Sequence, residues 1–223
     1  MDGGRGTGDE AWGGTVPRLL LIADGFASGR TELDAATIRE RAVALVAAGV
    51  PWVSLRDTQA DADAFRAAAV SLAGALRAAA PRVLLSVHAR LDVAAEMGAG
   101  VHVGRRGATL AEAIGARLAG PVGVSAHSAS ATLAARKGGA DYATFSPVFA
   151  TRTHPDAAPS GIDPLRLAAE RSGLPVLALG GMTPPRARIA RLVGAHGAAA
   201  ISSLLFAWDE ARTVRQFLNA VGE

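Results

Sequence analysis

Gly180 and Gly181 close one short apolar run, and Ser202 and Ser203 close the next. The first run reads Leu-Pro-Val-Leu-Ala-Leu from Leu174, stops at the two glycines, and passes through Met182-Thr183-Pro184 into a polar amphipathic stretch. The second reads Gly-Ala-Ala-Ala-Ile from Gly197 and stops at the two serines. A buried strand that ends in bare backbone and then opens a helix turns several N–H groups toward one point, where an anion fits. Two such ends side by side form the phosphate cup that follows the last two strands of (β/α)8 enzymes. A small phosphorylated molecule is the expected ligand.

The other strand ends add cations and hydroxyls. In chain order they carry Asp24, Arg56, His88, Arg105, Ser125 with His127, and Thr151 with Thr153 and His154. A mouth of this composition suits a substrate with more than one negative charge. Arg56 terminates a Val-Ser-Leu run, and a guanidinium there is costly to bury unpaired, so it is expected to point at an anion. His127 stands where the fifth strand gives way to a helix; its imidazole titrates near neutrality and suits general acid/base work, or caps that helix. Thr151 and Thr153 alternate, so both hydroxyls can clamp a phosphate or ring edge, or simply solvate the loop. His102 lies inside a Val-His-Val strand and reads as a satisfied core residue; His196, before the eighth strand, reads as a solvated loop residue on the opposite face.

Eight apolar runs position these residues: 18–23, 52–56, 83–87, 100–103, 122–125, 142–145, 176–179 and 198–201. Between them lie Ala-rich stretches with apolar residues at i, i+3 and i+4, such as 35–48 and 61–80, which predict helices. Asp34, Thr109, Ser128, Asp163 and Thr183 suit N-caps, and Gly49, Gly98, Gly138 and Gly194 suit the helix ends. Strands this short and apolar are buried on both faces, which requires parallel pairing through helical crossovers. The expected fold is α/β, a single (β/α)8 TIM barrel over residues 17–223. A doubly wound open sheet is the rival, disfavoured by the count of eight and by the lack of a Gly-rich turn after the first strand. Residues 1–16, rich in glycine and charge, are expected to form a short disordered tail rather than a signal peptide.

Composition narrows the classes further. Of 223 residues, 50% are apolar, enough for a sizeable core, and the absence of cysteine removes disulfides, thiolate metal sites and a cysteine nucleophile. Only Lys137 among the 23 basic residues is lysine; arginine keeps its proton to high pH, so the sequence pI reaches about 10.4 while the formal net charge is only +3. The arginines are scattered among acids, so neither nucleic acid nor membrane is an expected partner. The location expected is cytoplasmic. A homo-oligomer stays open, with Trp52 and Trp208 each assignable to core or interface.

At this point the chain resembles the thiamine phosphate synthase and thiazole tautomerase superfamily. The resemblance runs from Arg18 to Val221 and is carried by Ser-Leu-Arg at 54–56, Gly-Val-His-Val-Gly at 100–104, Gly-Val-Ser-Ala-His-Ser at 123–128, Ser-Pro-Val-Phe-Ala-Thr-Arg-Thr at 146–153, Leu-Gly-Gly-Met-Thr at 179–183 and Ala-Ile-Ser-Ser at 200–203. It implies a barrel whose thiazole phosphate rests on Gly180, Gly181, Ser202 and Ser203, with Arg56, Ser125, Thr151, Thr153, His88 and His154 around the substrate. Synthases of this family also carry Mg²⁺ on acidic residues. Here His88-Ala89 replaces their Asn-Asp, and Arg105-Arg106-Gly107 replaces the segment bearing the second acid. Their pyrimidine-reading Gln becomes Ser54, and two of their lysines become Thr58 and His154. A hard cation needs carboxylate oxygens. The departures therefore lead to the expectation of a metal-independent thiazole tautomerase, an isomerase without cofactor, with His127 as its proton shuttle. The alternatives are a thiamine phosphate synthase, with Mg²⁺ as cofactor, and a non-catalytic regulator that binds a thiazole or thiamine phosphate.

Overall fold

The structure is a computed structural model that describes residues 12–29, 32–151 and 157–223. Eight strands alternate with helices: β1 (Leu19–Asp24), α1 (Ala35–Ala47), β2 (Trp52–Arg56), α2 (Ala62–Ala79), β3 (Leu84–His88), α3 (Leu91–Glu96), β4 (Gly100–Val103) and α4 (Leu110–Gly115). The second half continues with β5 (Val122–Ala126), α5 (Ala129–Lys137), β6 (Tyr142–Phe145), α6 (Ile162–Ser172), β7 (Val176–Ala178), α7 (Pro184–Leu192), β8 (Gly197–Ala200), α8 (Ser202–Leu205) and α9 (Glu210–Val221). All neighbouring strands pair in parallel, and β1 pairs β8, with Leu19, Leu20 and Leu21 opposite Ala198, Ala199 and Ala200. The ring is closed, which excludes the open sheet. The fold is a single (β/α)8 barrel.

Local chemistry sets the helix starts. Asp34 accepts from the Thr37 N–H at 2.7 Å, Ser128 from the Ala131 N–H at 3.1 Å, and Thr109 forms a reciprocal capping box with Glu112. Each satisfies N–H groups that the first helical turn leaves without a partner. Asp163 departs from the expectation: α6 starts one residue earlier, at Ile162, after Gly161 at φ 82°. The strand bounds shift by about one residue, so His88 is the last residue of β3 and β8 ends at Ala200.

Two cores result. The larger lies between the strands and the helical ring; the smaller fills the lower barrel interior with Leu20, Ile22, Trp52, Tyr142, Leu177 and Ala199. Trp52 and Tyr142 meet edge to face, 4.6 Å between centroids, and the Trp52 indole N–H donates to Ser86 Oγ at 3.2 Å. Gly123 makes room for the phenol ring: a Cβ there would lie 2.0 Å from Tyr142 Cζ. Residues 1–11 of the expected tail lie outside the described residues. Val16, at the end of that segment, is instead buried against the inner core, and Trp12 packs on the same cluster. His196 is not solvated; it is half-buried and its Nε2 lies 2.7 Å from the Val16 carbonyl oxygen. Trp52 is core, whereas Trp208 is fully exposed. Among the described residues, no helix is long and apolar enough to cross a membrane.

Candidate active site

The C-terminal ends of the strands surround one cavity of about 1270 Å³. On its β7–β8 side the chain leaves the sheet at Leu179 and passes through Gly180 at φ 100° and Gly181 at φ 60°. Only glycine adopts this pair of left-handed conformations without cost. Space is short as well: a Cβ on Gly181 would stand 2.3 Å from the Ala150 carbonyl oxygen. The loop is pinned from outside, since the Val148 N–H donates to the Leu179 carbonyl and Arg186 donates to the Gly181 carbonyl at 2.7 Å while lying over the Phe149 ring.

Next to it, α8 is a single extra turn that the sequence reading did not separate from the helix after β8. Leu204 and Leu205 both donate to the Ile201 carbonyl, so the N–H groups of Ser202 and Ser203 precede the helical ladder. Ser203 Oγ is buried and has no hydrogen-bond partner among the described residues. Leaving a hydroxyl so costs about 1–3 kcal/mol unless a ligand oxygen meets it. Loops after the last two strands plus a short extra helix are the standard phosphate site of such barrels.

The floor is polar but uncharged. His102 is buried, with Nδ1 at 3.0 Å from Tyr142 OH and Nε2 at 2.9 Å from Ser125 Oγ and 3.4 Å from Thr144 Oγ1. Burial, then the neighbouring His88 and Arg56, pulls its pKa down to about 3. His88 stacks on His102 with 5.5 Å between centroids; burial and then Arg56 bring it to about 4. Both rings are neutral at pH 7. The Tyr142 phenol is pushed well above its ordinary value, chiefly by burial, and stays protonated.

The opposite wall is cationic. Arg56 lines the cavity and is half-buried, but it is already paired: its Nη1 lies 2.7 Å from Oδ2 of Asp24, which is 2% exposed. Burial lowers the Arg56 pKa from its ordinary value, opposed by the Asp57 carboxylate. Asp57 itself was missed by the sequence reading. Its Oδ2 accepts from the Ala27 and Ser28 N–H groups and its Oδ1 from those of Gln59 and Ala60, which ties the β1–α1 loop to the β2–α2 loop. Burial disfavours that charge, yet the hydrogen bonds from Ser28, Gln59 and Ala60 outweigh it and hold the carboxyl below its ordinary pKa. The Asp-Thr-Gln-Ala turn after Arg56 was the available signal.

The sequence-derived residues gather as follows. His88, Ser125, His127 and Thr151 line the same cavity as Gly180, Gly181, Ser202, Ser203 and Arg56. His127 is exposed and its Nδ1–H donates to the Ser146 carbonyl at 2.6 Å, which leaves Nε2 as the free ring nitrogen acceptor. Thr153 and His154 lie outside the described residues. Arg105 and Arg106 also line the cavity.

The residues present do not fit a divalent cation at the family's acidic positions. Ala89 carries no donor, and its φ of 62° costs a non-glycine residue roughly 1–2 kcal/mol. Gly107, at φ 87°, sits against it, so that a Cβ on Gly107 would lie 2.6 Å from the Ala89 carbonyl oxygen. Among the described residues, no cluster of three His, Cys, Asp or Glu side chains could hold a metal ion.

Fold and site together define a (β/α)8 barrel with a glycine- and serine-lined cup at the β7–β8 end and a mouth cationic on one side. Comparison with known proteins narrows this. The thiamine monophosphate synthase family model matches residues 26–204, and the chain belongs to that family. Thiamine-phosphate synthase from Chloroflexus aurantiacus is 37% identical over 207 residues, covering 89% of this chain and 90% of the relative. That from Albidiferax ferrireducens is 34% identical over 213 residues, covering 92% and 93%. The structure of thiamine phosphate pyrophosphorylase from Pyrococcus furiosus superposes with a TM-score of 0.77 at 27% identity, covering 92% of this chain and 95% of that one.

These relatives overturn the expected tautomerase. They are synthases along nearly their whole length, so an isomerase reading drawn from two missing acids does not stand. The two absent acids are a change within one wall of the family's barrel, not a change of reaction.

Proposed function

We propose that this chain is a transferase joining a hydroxymethylpyrimidine pyrophosphate to a thiazole phosphate, giving thiamine phosphate and pyrophosphate. The thiazole nitrogen lone pair forms the new bond to the pyrimidine methylene carbon. The C–O bond to pyrophosphate breaks, and its electron pair leaves with the pyrophosphate. No oxidant or net proton transfer is needed. Bound Mg²⁺, in relatives that hold it, neutralises charge on such a leaving group; no step here is assigned to it.

One observation carries the reading: a single cavity of about 1270 Å³ with anion-binding chemistry at opposite sides. Pockets for one small ligand run about 300–1,000 Å³, so this one accommodates two substrates. In the ring order, the ends of β3 and β4 stand four strands from those of β7 and β8, which puts them across the mouth. The thiazole phosphate takes the glycine and serine cup; Ser125 and the neutral imidazoles form the floor beneath the reacting atoms, and Thr151 borders the ring. Holding both reactants in one cavity converts a bimolecular step into a positioned one.

The test is direct. Purified protein incubated with both substrates, with Mg²⁺ supplied, is expected to form thiamine phosphate, followed by chromatography after oxidation to the fluorescent thiochrome. Absence of product under those conditions, from protein shown to be folded, rejects the reading.

A further inference from the structure

We propose that Arg105 and Arg106 bind the pyrophosphate group directly, as the chain's own replacement for a divalent cation. The proposal rests on the synthase reading and deepens it. Its starting point is a count of charge. Among the described residues, the cavity lining includes four arginines, Arg56, Arg105, Arg106 and Arg186, and no carboxylate. Two of the four are committed. Arg56 pairs with Asp24, and Arg186 is spent on the Gly181 carbonyl and the Phe149 ring. Arg105 and Arg106 are exposed and make no hydrogen bond or ion pair with any described residue. Adjacent like charges repel, and an anion of high charge between them relieves that.

The neighbouring backbone makes the exchange complete. Ala89 and Gly107 are in contact through the backbone, both at positive φ, and the gap between the two loops is too narrow for a Cβ at position 107. Two carboxylates and an octahedral cation with its waters require about 2.1 Å oxygen contacts on several sides. Neither position 89 nor position 107 offers a carboxylate oxygen for such contacts here. Guanidinium groups need no such cage: each offers a planar fork of donors that matches phosphate oxygens bidentately and never loses its charge. The loop after β4 presents both forks at the rim opposite the thiazole phosphate cup, where the leaving pyrophosphate must stand if both substrates share the cavity. The floor under them adds no competing charge, because His88 and His102 are neutral.

Isothermal titration of inorganic pyrophosphate into the full chain tests this without turnover. Binding in EDTA is expected, with affinity within about threefold of that measured with Mg²⁺. The Arg105→Ala/Arg106→Ala double variant is expected to lose about tenfold or more in pyrophosphate affinity while thiazole phosphate affinity holds. The Arg105→Lys/Arg106→Lys variant is expected to recover part of the loss, since it restores charge without the fork. Both positions are exposed loop residues, so circular dichroism should match wild type. Binding that appears only with Mg²⁺, or a double variant that binds pyrophosphate as wild type does, overturns the proposal. Failure of the synthase reading looks different: pyrophosphate binding stays intact in EDTA while no thiamine phosphate forms.

Discussion

On the proposed reading, the two sides of the barrel mouth solve one problem, holding an anion, with opposite materials. The β7–β8 side uses backbone N–H groups, two left-handed glycines and the buried Ser203 hydroxyl, and among the described residues lining it the one full charge is Arg186, which faces the loop carbonyl. The β2–β4 side uses guanidinium groups on side chains, two of them exposed. Backbone donors are fixed by the fold and cannot be exchanged one residue at a time. Side-chain charge can be exchanged, and the positions where the family resemblance implies acids hold alanine, glycine and arginine in this chain. A cup built from main chain is the part of such a site that should survive divergence.

Breaking the rigid side should cost most. Gly181→Val places branched carbons where even a Cβ would be 2.3 Å from the Ala150 oxygen, in a φ region disfavoured for any β-branched residue. We expect kcat/KM for thiazole phosphate to fall by about 100-fold or more, with loss of thiazole phosphate binding in calorimetry. A variant that keeps wild-type kcat/KM removes the cup from the site.

Acid should separate the two sides next. His88 and His102 lie under the arginine side, with folded pKa values of about 4 and about 3 against an ordinary 6.5. Between pH 6.5 and about 4 the unfolded chain therefore binds more protons than the folded one, and stability rises with pH across that window. It is complete above pH 6.5 and is lost as pH falls. Going from pH 7 to 5 should lower unfolding free energy by about 4 kcal/mol, about half from each imidazole, read from urea midpoints at each pH. About half that change means one imidazole reaches water, and a flat profile means both do.

Ser203→Ala sharpens the comparison at smaller cost. The hydroxyl has no protein partner to lose, so unfolding free energy should stay within about 0.5 kcal/mol of wild type or rise. Thiazole phosphate affinity should fall about tenfold, from one charge-assisted hydrogen bond, while pyrophosphate affinity does not change. Loss of stability without loss of affinity would make Ser203 a structural residue.

The same contrast explains what could be read from sequence. Eight apolar runs with capped helices between them specify the barrel because burial on both faces forces parallel strands, and Gly-Gly and Ser-Ser announce the cup because backbone chemistry is local. The arginine side was not legible in the same way. That Arg56 spends itself on Asp24, residues distant in sequence and paired only through the β1–β2 register, follows from tertiary contact alone. Asp57 hid for the same reason, since two of its four N–H donors come from the β1–α1 loop. The missing acids were visible at once, but what they meant for the reaction was not, because a metal ligand and its replacement act on the same leaving group. The bond from His127 Nδ1–H to the Ser146 carbonyl was equally hidden, since it joins the ends of β5 and β6.

The smallest effect concerns the floor that joins the two sides. Tyr142 rises from β6 into the space left by Gly123, touches Trp52 of β2, and places its hydroxyl 3.0 Å from Nδ1 of His102 in β4. Tyr142→Phe keeps the ring and its packing and removes only the hydroxyl, so about 1 kcal/mol of stability should be lost, measured by urea denaturation at pH 7. His102 then has one fixed nitrogen instead of two, and Ser125, 2.9 Å from the other, loses its rigid neighbour. If the floor serves both substrates, kcat should fall a few-fold while both anion affinities hold, since neither the cup nor the arginines touch that hydroxyl. A change in only one of the two affinities would instead attach Tyr142 to that side of the mouth.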